Sequence, residues 1–429
     1  MIRSIQWFCW AYVSLVTAGV VWAENWPGWR GPHGDGSTVE HGVVREWDGQ
    51  NGTNIVWRSE LKANGHASPI IWQDKVFLAG CELESTARTL ACYDRETGTV
   101  VWRRKVFEAT LESKHALNSY ASGTPATDGE LVFAAFLRPD GRIIPAPNVG
   151  SPRDITSGTM VVVCFDLEGR EQWRASPGQF VSAHGFSSSP VVFEDLVIVN
   201  GDHDGDSYVV AFDKRTGTER WRVKRRHKIR SYATPLIRRI GGRDQMLLSG
   251  SMCIVSLDPR SGERIWNIEG PTEQFVASMV YDGNLAFMVC GYPDHYVFGI
   301  RPDGQGDVTE THVAWESTSA RSYVPSPVVV GDYLIVADDR GTANCFGTAD
   351  GEHLWKARIG SGFNASLVTA EGLVYLTDND GKTTVIRPGP VLQVVAKNDL
   401  GEFVSASPAI SGGDLYMRTH EALYRIGKR

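Results

Sequence analysis

Short apolar runs, many of them alternating with polar residues and separated by turn residues, recur along the whole chain. Clear examples lie at 76–78 and 197–199. Because successive side chains of a strand point to opposite faces, such runs predict β-strands. Long stretches with the period of a helix are missing, and glycine (45 copies) and tryptophan (14 copies) are abundant. The pattern therefore predicts a turn-rich, all-β protein.

One sequence phrase recurs and divides the chain into units. It opens with Ser or Thr before Pro, passes through apolar strands to an Asp, and closes with Thr-Gly and a Trp. The clearest copies run from Ser68 to Trp102 and from Ser189 to Trp221. The residues that open the units are Ser68, Thr124, Ser189, Thr234, Ser278, Ser326, Ser366 and Ser407. These eight openings, most of them about 40–50 residues apart, predict an eight-bladed β-propeller.

The two ends of the repeat region complement each other. The last unit stops at the strand 422–426, without a following Thr-Gly or Trp. The strand at 55–58 has no unit before it and carries Trp57. We expect this N-terminal strand to complete the last blade and close the ring, which also removes exposed strand edges.

Polar and aromatic residues stand just before the residues that open the units. At these positions we expect side chains to line the mouth of the central channel. They are His66, Asn118, Tyr120, His184, Arg230, Tyr232, Arg321, Tyr323 and Asn364. The Arg-Ser-Tyr triplets at 230–232 and 321–323 would place two guanidinium groups and two phenols around one axis, which suits anions and sugars. The alternative is that these residues are polar only because the channel is filled with water.

The repeat resembles a known family. Asp94-x-x-Thr97-Gly98-x-x-x-Trp102 is similar to the tryptophan-docking motif of pyrroloquinoline quinone (PQQ) repeat propellers. That family includes quinoprotein alcohol dehydrogenases and the BamB-type outer-membrane assembly lipoprotein. The segment 26–36, WPGWRGPHGDG, resembles the opening of secreted PQQ-like propellers of planctomycete-type bacteria. The resemblance implies the propeller fold and leaves the activity open.

The catalytic features of that family do not carry over. Quinoprotein dehydrogenases have an adjacent cysteine pair beside the quinone, and no such pair occurs in this chain. They also hold calcium with carboxylate and amide ligands, and no such set aligns. No Cys-x-x-Cys-His haem motif is present. We expect a non-enzymatic member without a catalytic residue set, a metal site or a cofactor, with PQQ plus calcium as the alternative.

Charge and the N-terminus set the expected location. Residues 1–23 have a short positive start, an apolar stretch and small residues at the end, which predicts an export signal cleaved after Ala23. We expect residues 24–53 to form an N-terminal extension and residues 54–429 the propeller, a monomer in the periplasm or outside the cell. The net charge of −7 argues against a nucleic-acid partner. No membrane span is expected after cleavage.

Three further segments each allow two interpretations. The acidic run 202–207 suggests a calcium loop, or a plain hairpin turn such as those of other units. The basic run 224–228 suggests a surface for an anionic partner, or a solvated connection between blades. The insert 137–158 is long for a hairpin, so it caps the channel or contacts a partner.

The cysteines also allow two interpretations. Cys81 and Cys92 lie on successive strands of the first unit, where an oxidising compartment would permit a disulfide. Cys92, Cys164 and Cys345 occupy the same repeat position in different units. They are therefore far apart, and core packing explains them most simply.

The leading hypothesis from these observations is a non-catalytic secreted or cell-envelope propeller that binds a partner protein or a glycan. A PQQ-dependent oxidoreductase is the second hypothesis, because the repeat family includes such enzymes. A polysaccharide-acting hydrolase or lyase is the third, with His66, His184, Arg230 and Arg321 as the residues to test.

Overall fold

The computed structural model describes residues 23–428, apart from the side chain of Cys290. The described residues form 33 strands, which associate into eight separate sheets. The sheets are arranged as the predicted eight-bladed β-propeller. In chain order the strands are β1 (Ile55–Glu60), β2 (Ile70–Trp72), β3 (Lys75–Glu82), β4 (Ala87–Asp94), β5 (Val100–Glu108), β6 (Ala126–Thr127), β7 (Leu131–Pro145), β8 (Asp154–Asp166), β9 (Glu171–Phe180), β10 (Val191–Phe193), β11 (Leu196–Gly201), β12 (Tyr208–Asp213), β13 (Glu219–Lys224), β14 (Leu236–Ile240), β15 (Arg243–Gly250), β16 (Cys253–Leu257), β17 (Arg264–Glu269), β18 (Val280–Tyr281), β19 (Ala286–Cys290), β20 (Tyr296–Ile300), β21 (Gly306–Asp307), β22 (Val313–Ser317), β23 (Val328–Val330), β24 (Tyr333–Ala337), β25 (Thr342–Gly347), β26 (His353–Arg358), β27 (Val368–Ala370), β28 (Leu373–Thr377), β29 (Lys382–Arg387), β30 (Gln393–Asp399), β31 (Ala409–Ser411), β32 (Asp414–Arg418) and β33 (Ala422–Ile426).

Each blade is an antiparallel meander of four strands. Blades 1, 2 and 3 are β2–β5, β6–β9 and β10–β13, and blades 6 and 7 are β23–β26 and β27–β30. Blade 4 is β14–β17, with β21 added in parallel to β17. Blade 5 consists of β18, β19, β20 and β22. We call the face that carries the connections between blades the upper face, and the opposite face the lower face.

Blade 8 contains both ends of the propeller, as the sequence predicts. Strand β1 pairs with β33 beside β32 and β31. The indole of Trp57 on β1 lies over Gly98 in blade 1, and its Nε1 donates to the carbonyl of Arg95 at 3.0 Å. Gly98 has φ of +72° and leaves no room for a side chain beneath the ring. The predicted closure is confirmed, and it docks blade 8 on blade 1.

The same docking joins most of the other blades. In five further blades an indole Nε1 donates to a backbone carbonyl of the next blade, at 2.8–3.1 Å. The tryptophans are Trp102, Trp173, Trp221, Trp315 and Trp355. Blade 7 has Val394 at the tryptophan position, and Val394 is 46% exposed. Residues 43–49 of the N-terminal extension lie beside this blade. There the Trp47 amide donates to Asn398 Oδ1 at 2.9 Å, and the Trp47 ring is buried.

The residues that open the units form a hydrogen-bonded ring around the axis. The backbone N–H of each opening residue donates to the side-chain hydroxyl of the next opening residue, at 2.8–3.4 Å. The series runs through Ser68, Thr124, Ser189, Thr234, Ser278, Ser326, Ser366 and Ser407. At the junction between blades 8 and 1, the buried guanidinium of Arg418 donates instead to the carbonyls of Ala63, Ala67 and Ala79. The recurring hydroxyl therefore links neighbouring blades, a role that the repeat pattern alone does not reveal.

An N-terminal plug, residues 26–36, crosses the lower face. Its Arg30 is only 2% exposed and donates to the carbonyls of Asp35 and Pro327 at 2.6 Å and of Leu367 at 3.2 Å. Burial lowers the pKa of Arg30 to about 10. Gly36 approaches both this guanidinium and the Leu367 carbonyl too closely for any side chain. The plug thus links blades 6 and 7 through one buried cation.

The described cysteines are free and buried. On the paired strands β3 and β4, Cys81 lies opposite Arg88 and Cys92 lies opposite Phe77. Four residues of strand separate each cysteine from the position facing the other, roughly 13 Å along the sheet. The disulfide interpretation is therefore wrong, and the core-packing interpretation holds for Cys92.

The apolar N-terminal stretch that predicts an export signal lies at residues 1–22, outside the described residues. Within residues 23–428, no helix is long and apolar enough to cross a membrane.

Candidate functional site

A cavity of about 810 Å³, including its open mouth, lies at the centre of the upper face. Its wall consists of the segments that precede the innermost strand of each blade, so eight blade connections converge on it. At its base the ring of Ser and Thr hydroxyls meets Trp29 of the plug, whose indole Nε1 donates to Ser278 Oγ at 3.3 Å. We call this space the axial cavity. It is lined by Trp29, His66, His115, Leu117, Asn118, Ser122, His184, Ser187, Ser189, Tyr232, Thr234, Val276, Ser278, Tyr323, Val324, Asn364, Ser366, Ser405 and Ser407.

Six of the nine side chains expected at the channel mouth do line this cavity. They are His66, Asn118, His184, Tyr232, Tyr323 and Asn364. The topology explains the agreement, because the upper end of every innermost strand lies next to the axis in a propeller.

The other three residues do not line the cavity. Arg230 is 2% exposed, and its Nη1 binds both carboxylate oxygens of Asp204 at 2.8 Å. Arg321 is exposed to solvent. Tyr120 packs under the cations of Arg88 and Lys114, 5.6 and 5.2 Å from its ring centre. The structure therefore does not bring two guanidinium groups together around the axis; only the two phenols of the Arg-Ser-Tyr triplets meet there.

Two histidines of the wall are held in the neutral form. Burial, with Arg230 and His115 nearby, lowers the pKa of His184 to about 3. Burial, with His420 and Arg418 nearby, lowers the pKa of His66 to about 3. Near neutral pH both imidazoles are therefore uncharged hydrogen-bonding groups.

Local contacts fix the orientation of His184. Arg230 Nε donates to His184 Nδ1 at 3.3 Å, so Nδ1 is the acceptor and Nε2 carries the proton. The ring lies nearly parallel to that of Tyr232, with centres 6.4 Å apart, and 4.9 Å from that of His115. Burial raises the pKa of Tyr323 to about 12 and also raises the pKa of Tyr232, so both phenols stay protonated. The wall combines aromatic faces with neutral donors and acceptors.

The repeat pattern does not predict Trp29, His115 and Leu117 as lining residues. Trp29 belongs to the plug, which has no counterpart in the repeats. His115 and Leu117 belong to a blade connection whose length is not set by the repeat. The one sequence signal for Trp29 is its place in the WPGWRG motif, which indicates a family resemblance and not a contact.

The three carboxylates of the acidic run 202–207 pair with cations in and next to the basic run 224–228. Asp202 binds Arg225 at 2.9 Å, and Asp206 binds Lys228 at 2.6 Å. Asp204 is taken by Arg230. Each carboxylate thus has its own cation, and within residues 23–428 no group of three or more His, Cys, Asp and Glu side chains is placed to hold a metal ion. The arrangement favours the interpretations of a turn and of a connection between blades.

The insert 137–158 is an ordered extension of β7 and β8. Its tip reaches the next blade, where the carbonyl of Asn148 accepts from Arg230 Nη2 at 2.8 Å and its Nδ2 donates to the Lys228 carbonyl at 2.7 Å. Ile155 of the hairpin is buried against Val181. The hairpin therefore braces Arg230, which in turn positions His184.

The fold family implies PQQ beside a calcium ion, and the lining residues do not fit that pair. PQQ is a planar tricarboxylic acid, which needs cationic partners, and calcium needs several oxygen ligands. The described lining of the axial cavity contains no Lys, Arg, Asp or Glu. The nearby guanidinium of Arg230 is already bound to Asp204 on two bonds. A neutral ligand suits this wall better than a multiply charged one.

Comparisons with known proteins agree with this architecture. The family model described as outer membrane protein assembly factor BamB matches residues 40–148, 149–289 and 307–421. BamB from Moraxella catarrhalis has a similar structure, with a TM-score of 0.59 and 13% identity over 86% of this chain and 98% of that chain. A europium-containing methanol dehydrogenase is also similar, with a TM-score of 0.60 and 11% identity over 92% of this chain and 89% of that chain. No curated protein matches the sequence. At these identities the solved structures show a common fold and not a common activity.

Proposed function

The chain belongs to the family of the outer membrane protein assembly factor BamB, and from that premise we propose that it is a non-catalytic propeller of the cell envelope whose upper face binds a protein partner. The family description supports an envelope location and a role in assembly. The expected export signal at residues 1–23 and the propeller at residues 54–429 are part of this proposal.

The observation that carries the proposal is a rim of exposed apolar side chains around the axial cavity. Leu117, Tyr292 and Phe403 are 36%, 56% and 43% exposed, and we call them the rim. All three lie in loops of the upper face. Exposed apolar and aromatic groups around a concave centre are typical of protein-binding surfaces.

The rim is continuous with the wall of the cavity. The Phe403 ring lies 4.5 Å from that of His420, which stacks at 5.5 Å on His66 of the cavity wall. On the opposite side, Tyr292 follows Gly291, against which the ring of Tyr323 packs. A partner seated on the rim would therefore cover the mouth of the cavity.

The test is capture of envelope proteins on the immobilised mature protein. Leu117→Asp with Phe403→Asp should reduce the bound amount of a specific partner at least tenfold, because a charge on each side of the contact must be desolvated. Val101→Asp with Val391→Asp is the matched control, since these side chains are 54% and 62% exposed on outer strands or turns. The proposal is wrong if no protein is captured reproducibly, or if the rim and control variants bind equally.

A further inference from the structure

The interior of the axial cavity is not needed for a contact at the rim, and its chemistry points to a ligand of its own. The cavity is closed below by Trp29 and the ring of hydroxyls, and it opens at the upper face. The hydrogen bond from Trp29 to Ser278 fixes the indole as the floor. The space is thus a pocket with one described mouth and not an open channel.

Two polar atoms in the wall have no hydrogen-bond partner within the protein. They are Oδ1 of Asn364 and Oγ of Ser405, which precede blades 7 and 8. Both residues line the cavity, and Ser405 is only 8% exposed. Asn364 is held by its backbone, whose N–H donates to Asn379 Oδ1 at 3.0 Å. Both atoms are covered in this conformation. Buried polar atoms without partners are costly, so a turn of either side chain toward the cavity, where a ligand hydroxyl can pair with it, is favoured.

The opposite side of the wall supplies a donor. Because Arg230 Nε donates to Nδ1 of His184, the imidazole presents Nε2–H. Asp204 keeps the Arg230 guanidinium away from the cavity. The ligand therefore meets a neutral donor on this side, with no ionic partner among the described lining residues.

Aromatic faces complete the site. Trp29 forms the floor, and Tyr232 and Tyr323 stand in the wall with protonated phenols. A pyranose has hydroxyl groups around its edge and C–H groups on its faces. Aromatic rings suit the faces, and the amide, hydroxyl and imidazole groups suit the edge.

From this combination we infer that the axial cavity binds a neutral sugar unit, held by Asn364, Ser405 and His184 and stacked against the aromatic rings. An anionic or cationic sugar has no ionic partner in the wall and loses its hydration on entry. The inference does not depend on the protein partner proposed for the rim.

The experiment is calorimetric titration of the purified full chain with neutral sugars (glucose, galactose, mannose, N-acetylglucosamine, maltose and cellobiose), and with glucuronate and glucosamine as charged counterparts. At least one neutral sugar should bind saturably and at least tenfold more tightly than the charged ones. Asn364→Ala with Ser405→Ala should weaken that binding at least tenfold, since two hydrogen bonds are lost. Asn284→Ala with Ser319→Ala, both exposed in blade 5, is the matched control.

A second variant covers the case in which the double substitution disturbs folding. Asn364→Leu keeps the approximate size of the side chain and removes the acceptor oxygen, so it too should weaken binding of the neutral sugar. The inference is overturned if no sugar in the panel binds, if charged sugars bind as tightly, or if the cavity variants bind like the control. Tyr292→Asp with Phe403→Asp separates the two proposals, because both are rim residues that do not line the cavity. This variant should remove the protein partner and leave the sugar affinity unchanged.

Discussion

Acidification should destabilise the propeller through His66 and His184. Each has a pKa of about 3 in the folded protein, against about 6.5 in an unfolded chain. Above pH 6.5 neither state binds the proton, so these histidines do not affect stability there. Between pH 6.5 and pH 3 the unfolded state binds protons that the folded state refuses. The free energy of unfolding therefore falls as the pH falls through this window.

The magnitude follows from the two pKa values. At pH 5 the unfolded histidine is almost fully protonated and the folded one is not, which amounts to about 2 kcal/mol for each residue. Both rings border an open cavity, so solvent screening reduces this to about 1–2 kcal/mol each. For a chain of this size, a combined loss of 2–4 kcal/mol lowers the melting temperature by about 2–5 °C.

The assay is thermal unfolding at pH 7.5 and pH 5.0 of the wild type and of His66→Asn with His184→Asn. Asparagine keeps an acceptor near the position of Nδ1 but does not titrate. Other groups also titrate, so the quantity to compare is the change in melting temperature between the two pH values. It should be about 2–5 °C smaller for the double variant. His41→Asn, at a side chain that is 88% exposed, should behave like the wild type. Equal pH dependence in the double variant and the wild type would refute the reasoning.

Two further predictions concern the frame of the propeller. Trp57→Ala removes the ring over Gly98 and the bond to Arg95, so it should lower the free energy of unfolding by about 3 kcal/mol in chemical denaturation; a loss below about 1 kcal/mol would show that closure does not depend on this ring. Because Cys81 and Cys92 do not face each other, a reducing agent should leave the melting temperature unchanged, and alkylation of the unfolded chain should label both thiols without prior reduction.

The fold could be predicted because the same residue types recur at the same positions of most blades. In other blades a tryptophan of the outer strand docks on the next blade, and the last unit lacks this tryptophan. Trp57 on the N-terminal strand lies over Gly98 and supplies it, so the gap in the last unit predicted the strand that fills it. The convergence of His66, His184 and Asn364 followed from the same logic, since the start of each innermost strand lies at the axis. Periodicity fixes where a residue stands in a blade.

Periodicity does not fix where a long side chain turns. Arg230 and Arg321 occupy equivalent positions, yet Arg230 is drawn to Asp204 and Arg321 points to solvent. The carboxylate that binds Arg230 lies in the loop 202–207, which is two residues longer than the equivalent acidic turns 338–341 and 378–381. The repeat therefore does not predict this ion pair. The same limit applies to the plug: Trp29 and the buried Arg30 lie outside every repeat, so their contacts depend on tertiary structure alone.

The closed base of the cavity connects the two proposals. With Trp29 seated on the ring of hydroxyls, a ligand enters and leaves through the mouth that Leu117 and Phe403 border. A protein bound on the rim would cover that mouth and also contact whatever the cavity holds. If the sugar changes the affinity for the partner by some factor, thermodynamic linkage requires the partner to change the affinity for the sugar by the same factor. A propeller sealed below and open above can therefore make the binding of a partner depend on a bound ligand without any catalytic step. This coupling is absent if either affinity is the same with and without the other component.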